Sequence, residues 1–331
     1  MKARHENHVL AALVASALFS SIPASATDFT GTLYYTNYQG GGTNVNKVPF
    51  FYNDVTFIAT LGAKAGVATT PGADGIIFAP NGNLLIGGQG TNAIYEVNPT
   101  TGAIVNTATT AGLNSFHLSL DPSGTTIWTS PFGGPLVSVG IPLSAGTAHT
   151  VTGNDTGLTQ VAFAPNGNVF YVNGQPNGGG NVGLINMTTF VTTRLFSSVT
   201  PAHGMVFDPF TGLITLFGAG QVGSFDTLGG NLKTSASIWT DFDQGAVDGF
   251  GHALIAGGDA VTFIDYSATH DITSASNHIF HFTGFAFIDD VAPLTGLGST
   301  PAVPEPETYA MLLAGLGLLG LAARRRKQKA A

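Results

Sequence analysis

Residues 74–88 read DGIIFAPNGNLLIGG. Apolar residues run from Ile76 to Phe78, a turn follows at residues 79–82, and a second apolar run begins at Leu84. Pro fixes φ at the second turn position, and Gly supplies the positive φ needed later in the turn. The stretch therefore predicts a tight β-hairpin. Four further stretches repeat it: FHLSLDPSGTTIWTS from Phe116, TQVAFAPNGNVFYVN from Thr159, HGMVFDPFTGLITLFG from His203 and DQGAVDGFGHALIAGG from Asp243.

The five hairpins recur at a nearly constant spacing. The residue before each turn Pro or Gly serves as the marker, and successive markers are 42, 43, 44 and 40 residues apart. The markers are Ala79, Asp121, Ala164, Asp208 and Asp248. A period in the low forties with several short strands per unit is typical of a β-propeller blade. No long helical period appears between residues 27 and 299, so the sequence predicts an all-β fold.

The two ends of this region predict how the ring closes. TGFAFIDD, with Asp289 41 residues after Asp248, looks like a sixth first strand that no second strand follows. Near the other end, GTLYYTN from Gly31 and the runs after it look like the second, third and fourth strands of a blade. We therefore expect six blades, with residues 32–37 pairing in the same blade as residues 285–289.

The run Gly75-Ile76-Ile77-Phe78-Ala79-Pro80-Asn81-Gly82 resembles the blade opening of NHL-type and related lactonase-like or lyase-like propellers. The resemblance covers about residues 31–292 and departs in the fifth repeat, where Gly249 replaces Pro. It implies a six-bladed propeller and is unspecific for function.

The N-terminus predicts export. Lys2 and Arg4 form a positive region, residues 9–19 are apolar, and residues 24–26 form a small-residue cleavage site. Residues 1–26 are therefore predicted to be a signal peptide, removed by signal peptidase, with the propeller over residues 27–299.

The C-terminus, residues 300–331, predicts sorting at a membrane. Residues 308–323 are apolar, and a basic cluster follows them. Together with Pro304-Glu305-Pro306, this order resembles the PEP-CTERM sorting domain of Gram-negative bacteria. The resemblance implies recognition of that motif by an exosortase, removal of the tail, and a final location at the cell surface or in exopolysaccharide. The membrane stop consists of Arg324, Arg325, Arg326 and Lys327.

Composition limits the partners and the chemistry. Of 11 basic residues only four lie between the two ends, against 16 of the 19 acidic ones. Such a surface repels phosphate backbones, so a nucleic-acid partner is excluded. The chain has no Cys, no G-x-S-x-G elbow and no H-E-x-x-H motif.

Polar residues occupy near-equivalent positions at the start of the first strands. In a propeller these strands line the central channel, so we expect the side chains to meet in a funnel at one mouth. Two His and one or two Asp could bind a divalent metal, and His203 or His117 could act as a base. The two His come from blades two apart, which favours a water-mediated contact with such an ion. The funnel candidates are Asp74, His117, Gln160, His203 and Asp243, with Gln244 as the alternative to Asp243, followed by Gly284 or Phe285 in the last blade.

Two functions from different classes remain open. The first is a non-enzymatic surface or matrix protein that binds polysaccharide or protein partners. The second is a periplasmic or surface lyase or hydrolase that uses the funnel. The sequence favours the first, with a water-filled funnel of solvated polar residues.

Overall fold

The computed structural model describes residues 28–38 and 44–293. All regular secondary structure within these residues is β-strand. The strands form six sheets, which confirms the predicted six-bladed β-propeller. The predicted signal peptide and the predicted sorting domain from residue 300 onward lie outside the described residues. In the part of the chain that is described, no helix could cross a membrane.

The strands follow the chain blade by blade. Blade 1 contains β1 (Asp28–Asn37), β2 (Val45–Asn53), β3 (Ile58–Leu61) and β4 (Ala65–Ala68). Blade 2 contains β5 (Ala73–Phe78), β6 (Leu84–Gly88), β7 (Ala93–Val97) and β8 (Ile104–Thr109). Blade 3 contains β9 (Ser119–Leu120), β10 (Thr126–Thr129), β11 (Leu136–Gly140) and β12 (Thr147–His149). Blade 4 contains β13 (Thr152–Gly153), β14 (Gln160–Phe163), β15 (Val169–Val172), β16 (Gly180–Ile185) and β17 (Val191–Val199). Blade 5 contains β18 (Gly204–Asp208), β19 (Leu213–Gly218), β20 (Gln221–Asp226) and β21 (Lys233–Thr234). Blade 6 contains β22 (Gly245–Val247), β23 (His252–Gly257), β24 (Ala260–Asp265) and β25 (His278–Thr283), and β26 (Ile288–Val291) then returns to blade 1.

Blade 1 is built from both ends of the propeller, as predicted. Its strand order is β26-β1-β2-β3, and β4 also pairs with β2. Between β1 and β26, Tyr35 pairs with Val291 and Asn37 pairs with Ile288. The innermost strand covers residues 288–291 rather than 285–289. Gly284 and Phe287 both have positive φ, which interrupts the extended backbone ahead of it.

The hairpin turns follow the chemistry predicted from their residues. Gly82, Gly124 and Gly167 have positive φ, and each donates its amide to the carbonyl of the residue that marks the repeat. Gly249, which replaces Pro in the fifth repeat, has a φ of 78°. The proline ring could not adopt that angle, which explains the departure.

The hydrophobic core is divided into six clusters, one at each interface between neighbouring blades. The cluster between blades 6 and 1 includes Phe50, Tyr52 and Phe263, all buried. Each sheet therefore packs its two faces against its neighbours, and the ring fixes where the six inner strands begin. Those inner strands are β5, β9, β14, β18, β22 and β26.

Candidate functional site

Polar side chains gather where the inner strands begin. The structure places one predicted residue from each of blades 2 to 6 there: Asp74, His117, Gln160, His203 and Asp243. Four of them are at most 5% exposed, and the Asp243 side chain is 19% exposed. This burial contradicts the expectation of a water-filled funnel with solvated side chains.

Close approach of neighbouring blades produces the convergence. A β-carbon on Gly75 would lie 2.1 Å from the carbonyl oxygen of Phe116, so only Gly permits this contact between blades 2 and 3. Asp74 and His117 are the chain neighbours of these two residues. Their side chains therefore reach the same point on the axis.

His117 and His203 meet around Asp243. The Oδ1 atom of Asp243 lies 2.7 Å from Nε2 of His203 and 3.3 Å from Nε2 of His117. The two imidazole centroids are 4.7 Å apart at an interplanar angle of 83°. The sequence favours a water-mediated contact of these two histidines with an ion, but the axis is narrow enough to bring both imidazoles directly against one carboxylate oxygen.

Blade 1 supplies Asp289 and Asp290, which the sequence analysis missed. Asp290 is fully buried, and its Oδ1 lies 3.9 Å from Nε2 of His117. The predicted alternatives were Gly284 and Phe285. These two residues precede Asp289 by the same number of positions as the other candidates precede their turn markers, but no hairpin follows β26, so that spacing does not hold in this blade. An acidic pair in an apolar strand was the signal that pointed to the correct residues. We call Asp74, His117, His203, Asp243, Asp289 and Asp290 the axial cluster.

Two glutamines form a layer against the axial cluster. Gln160 accepts a hydrogen bond from the Met205 amide at 2.7 Å. With its amide oriented to satisfy its neighbours, Gln244 donates to the Asp290 carboxylate and accepts from Nε2 of Gln160 at 2.7 Å. Gln160 therefore belongs to this supporting layer and not to the group around Asp243.

The axial cluster is rich in carboxylates. Burial, together with the neighbouring carboxylates, raises the pKa of Asp74, Asp289 and Asp290 well above the usual range. Burial also acts to raise the pKa of Asp243, but contacts with His117 and His203 outweigh it and hold that pKa well below its usual range. Among the described residues, no Lys or Arg forms an ion pair with this cluster.

Burial lowers the pKa of His117.

An aromatic ring closes the cluster on one side. Phe132, in the loop between β10 and β11, makes edge contacts with His117 and His203 at centroid distances of 5.1 and 5.3 Å. It also stacks on Phe116 at 4.1 Å and has a φ of 45°, which is uncommon for a bulky residue. Sequence reasoning had no signal for this contact.

An apolar channel lies on the other side of the glutamine layer. Its volume is about 450 Å³, and Gln160 and Gln244 line it together with apolar side chains. None of its lining residues is titratable. Every inner strand contributes to the wall, as shown by Ile76, Leu120, Phe163, Val206, Val247 and Val291.

Two overlapping groups in the axial cluster have metal-ligating atoms close together. His117, His203 and Asp243 form one group, and Asp74, His117 and Asp290 form the other; the ligating atoms of each lie within 4.8 Å of one another. His and Asp side chains are ordinary ligands of zinc and similar ions.

Residues 302–327 match the family described as the PEP-CTERM protein-sorting motif. The chain carries a PEP-CTERM sorting motif. Pro304, Glu305, Pro306 and the predicted membrane stop from Arg324 to Lys327 lie within that match, outside the described residues. The motif marks the chain as exported, with exosortase processing and a C-terminal sorting signal that anchors it to the membrane.

Solved structures share the propeller fold. A chain from the crystal structure of a nidogen/laminin complex is 14% identical, with a TM-score of 0.58 over 80% of this chain and 97% of that one. Virginiamycin B lyase from Staphylococcus aureus is 12% identical, with a TM-score of 0.49 over 78% of this chain and 89% of that one. A streptogramin B lyase is also 12% identical, with a TM-score of 0.48 over 78% of this chain and 86% of that one. The likeness to the chain from the nidogen/laminin complex shows the fold alone. No curated protein matches the chain.

Proposed function

We propose that this exported propeller is displayed at the cell surface as a non-enzymatic binding module, and that its central channel binds a small apolar ligand. The sorting motif supports display outside the cytoplasm, and the ring of blades supplies a rigid channel. Association with exopolysaccharide or surface proteins stays a prediction. The channel wall is mainly apolar, so such partners would bind the outer loops.

The main support for this proposal is that the channel and the acid–base side chains lie at different places in the propeller. The channel has room for a ligand but no titratable side chain. The axial cluster has the titratable side chains, but its two histidines are at most 1% exposed and Phe132 covers them. General acid–base catalysis requires both at one place, within hydrogen-bond reach of the substrate.

The channel wall indicates the class of ligand. Binding sites for small molecules commonly measure about 300–1,000 Å³ and are mainly apolar, and this channel has that size and composition. The glutamine amides at its inner end are already engaged with Met205 and Asp290. A neutral and mostly apolar molecule therefore fits the channel better than a charged one, because no partner for a charge is present in the wall.

Fluorescence titration with 1-aminoanthracene, a neutral apolar probe, tests the proposal. Val206 lines the channel, and Val206→Trp would fill part of it. Val191 lies on an outer strand with 44% of its surface exposed, so Val191→Trp adds the same ring away from the channel. We expect Val206→Trp to weaken binding at least about tenfold, equivalent to about 1.4 kcal/mol, and Val191→Trp to leave it unchanged. Equal binding by wild type and Val206→Trp would contradict the proposal.

The lyase or hydrolase alternative has one observation in its favour. His203 and Asp243 lie 2.7 Å apart, and Asp243 is the most exposed of the predicted funnel residues. A His–Asp pair of this kind can transfer protons. However, the His203 side chain of this pair is fully buried against Phe132, so the geometry supports the binding function better.

A further inference from the structure

We infer that the axial cluster binds one divalent transition-metal ion, of which zinc is the representative, through His117, His203 and Asp243. The three ligands come from blades 3, 5 and 6, so the ion would join three blades at the centre of the ring. This inference concerns the sealed polar centre and is independent of ligand binding in the apolar channel.

The spacing of the ligand atoms suits a bound ion. Two ligands about 2.1 Å from a tetrahedral zinc ion lie about 3.4 Å apart. Nε2 of His117 and Oδ1 of Asp243 are 3.3 Å apart, so they require almost no movement. Nε2 of His203 lies 2.7 Å from the same oxygen, and that contact would have to widen by roughly 0.7 Å to reach the tetrahedral separation.

The contacts of His203 leave its Nε2 atom available as a metal ligand. Its Nδ1 lies 2.7 Å from the carbonyl oxygen of Gly174, which can only accept, so Nδ1 carries the proton. Nε2 faces the Asp243 carboxylate at 2.7 Å from Oδ1. Despite that short separation the two atoms are not aligned for a hydrogen bond with each other, and the described residues give neither atom another partner. A cation between these two atoms would satisfy both.

This contact also matches the usual environment of a metal ligand. Histidine ligands commonly donate their second ring nitrogen to a carbonyl or carboxylate, which fixes the orientation of the imidazole. His203 is fully buried and already makes that bond to Gly174. The residue is therefore held with Nε2 directed at the centre of the cluster.

Charge completes the argument. Asp74 and Asp290 lie beside the same point, and none of the described Lys or Arg residues forms an ion pair with the cluster. Buried carboxylates need a compensating cation or a proton. Two imidazole nitrogens favour zinc or a similar ion over calcium, which prefers a shell of six to eight oxygens.

The test is a titration of the full exported chain, stripped with chelator, using zinc chloride and calcium chloride in parallel. We expect one equivalent of zinc to bind and to raise the melting temperature, and calcium to do neither. The variants His117→Ala and His203→Ala should lose at least about 100-fold in zinc affinity. His281→Ala is the matched control, because His281 is exposed and stacks on Trp239 away from the cluster, and it should bind zinc like wild type.

A second measurement keeps the inference testable if the cluster variants fail to fold. Wild-type protein loaded with cobalt(II) should show the visible absorption bands of a four- or five-coordinate site with imidazole ligands. No stoichiometric zinc binding, calcium binding in place of zinc, unchanged zinc affinity in folded His203→Ala, or absence of the cobalt bands would each overturn the inference.

Discussion

Asp155 shows how one buried carboxylate organises the outer part of a blade. It accepts hydrogen bonds from the Tyr171 hydroxyl at 2.5 Å, from Nδ2 of Asn181 at 2.8 Å and from two nitrogens of Arg194 at 2.7 and 3.0 Å. It lies just after β13, the extra strand that runs parallel to β17. Burial acts to raise the pKa of Asp155, but these hydrogen bonds outweigh it and hold the pKa below its usual range.

Asp155→Asn should therefore destabilise the protein at neutral pH, by about 2 kcal/mol, since hydrogen bonds to a charged group contribute about 1.5–3 kcal/mol. Because the folded-state pKa is lowered, the stabilisation is fully present above the unfolded pKa, near 3.9. It is lost as the pH falls through the lower folded value. Denaturant unfolding at pH 7 and pH 3 should show the gap between wild type and variant shrinking at pH 3.

Asp259→Asn is the control, because Asp259 is exposed. It should change stability little at either pH. A gap between wild type and Asp155→Asn that stays the same or widens at pH 3 would contradict the role assigned to the carboxylate.

At the scale of strands, the ring closes where β1 meets β26. The pairing between them is short and irregular, whereas β1 and β2 share nine residue pairs. The fully buried Thr36 adds two hydrogen bonds to this pairing. Its hydroxyl donates to the carbonyl of Asp74 in blade 2 and accepts a hydrogen bond from the Asp290 amide at 3.2 Å. One side chain therefore links the first and last strands of the propeller, β1 and β26, to the neighbouring blade.

Thr36→Val should cost about 1–3 kcal/mol, because it keeps the shape of the side chain and leaves buried backbone groups without their partner. Thr36→Ser retains the hydroxyl and should cost clearly less. Unfolding in denaturant would compare the two variants, and equal stability of Thr36→Val and wild type would show that this hydroxyl does not hold the seam.

The whole ring was largely predictable from the sequence, because one period recurs with the same turn chemistry. The marker residues before each turn Pro or Gly located five inner strands and five polar residues at or just before their starts. The marker failed at β26, because its partner strand comes from the other end of the chain. Asp289 and Asp290 were therefore missed.

The environment of the polar residues was less predictable. Their positions near the starts of the inner strands follow from local periodicity. Their burial depends on the distance between neighbouring blades. Gly75 sets one such distance through its contact with blade 3, and Phe132 covers the histidines from a loop with no distinguishing pattern. Sequence periodicity could therefore place the side chains around the axis but could not show that they are sealed.

The proposed function requires the apolar channel to be separate from the axial cluster with its buried histidines. Diffraction from crystals of the exported protein pressurised with xenon tests this most directly, because xenon occupies apolar cavities and its anomalous signal locates it. We predict an anomalous peak in the channel, beside Val206 and Phe163, and none among His117, His203 and Asp243. A channel without xenon, or a peak within the axial cluster, would contradict the account.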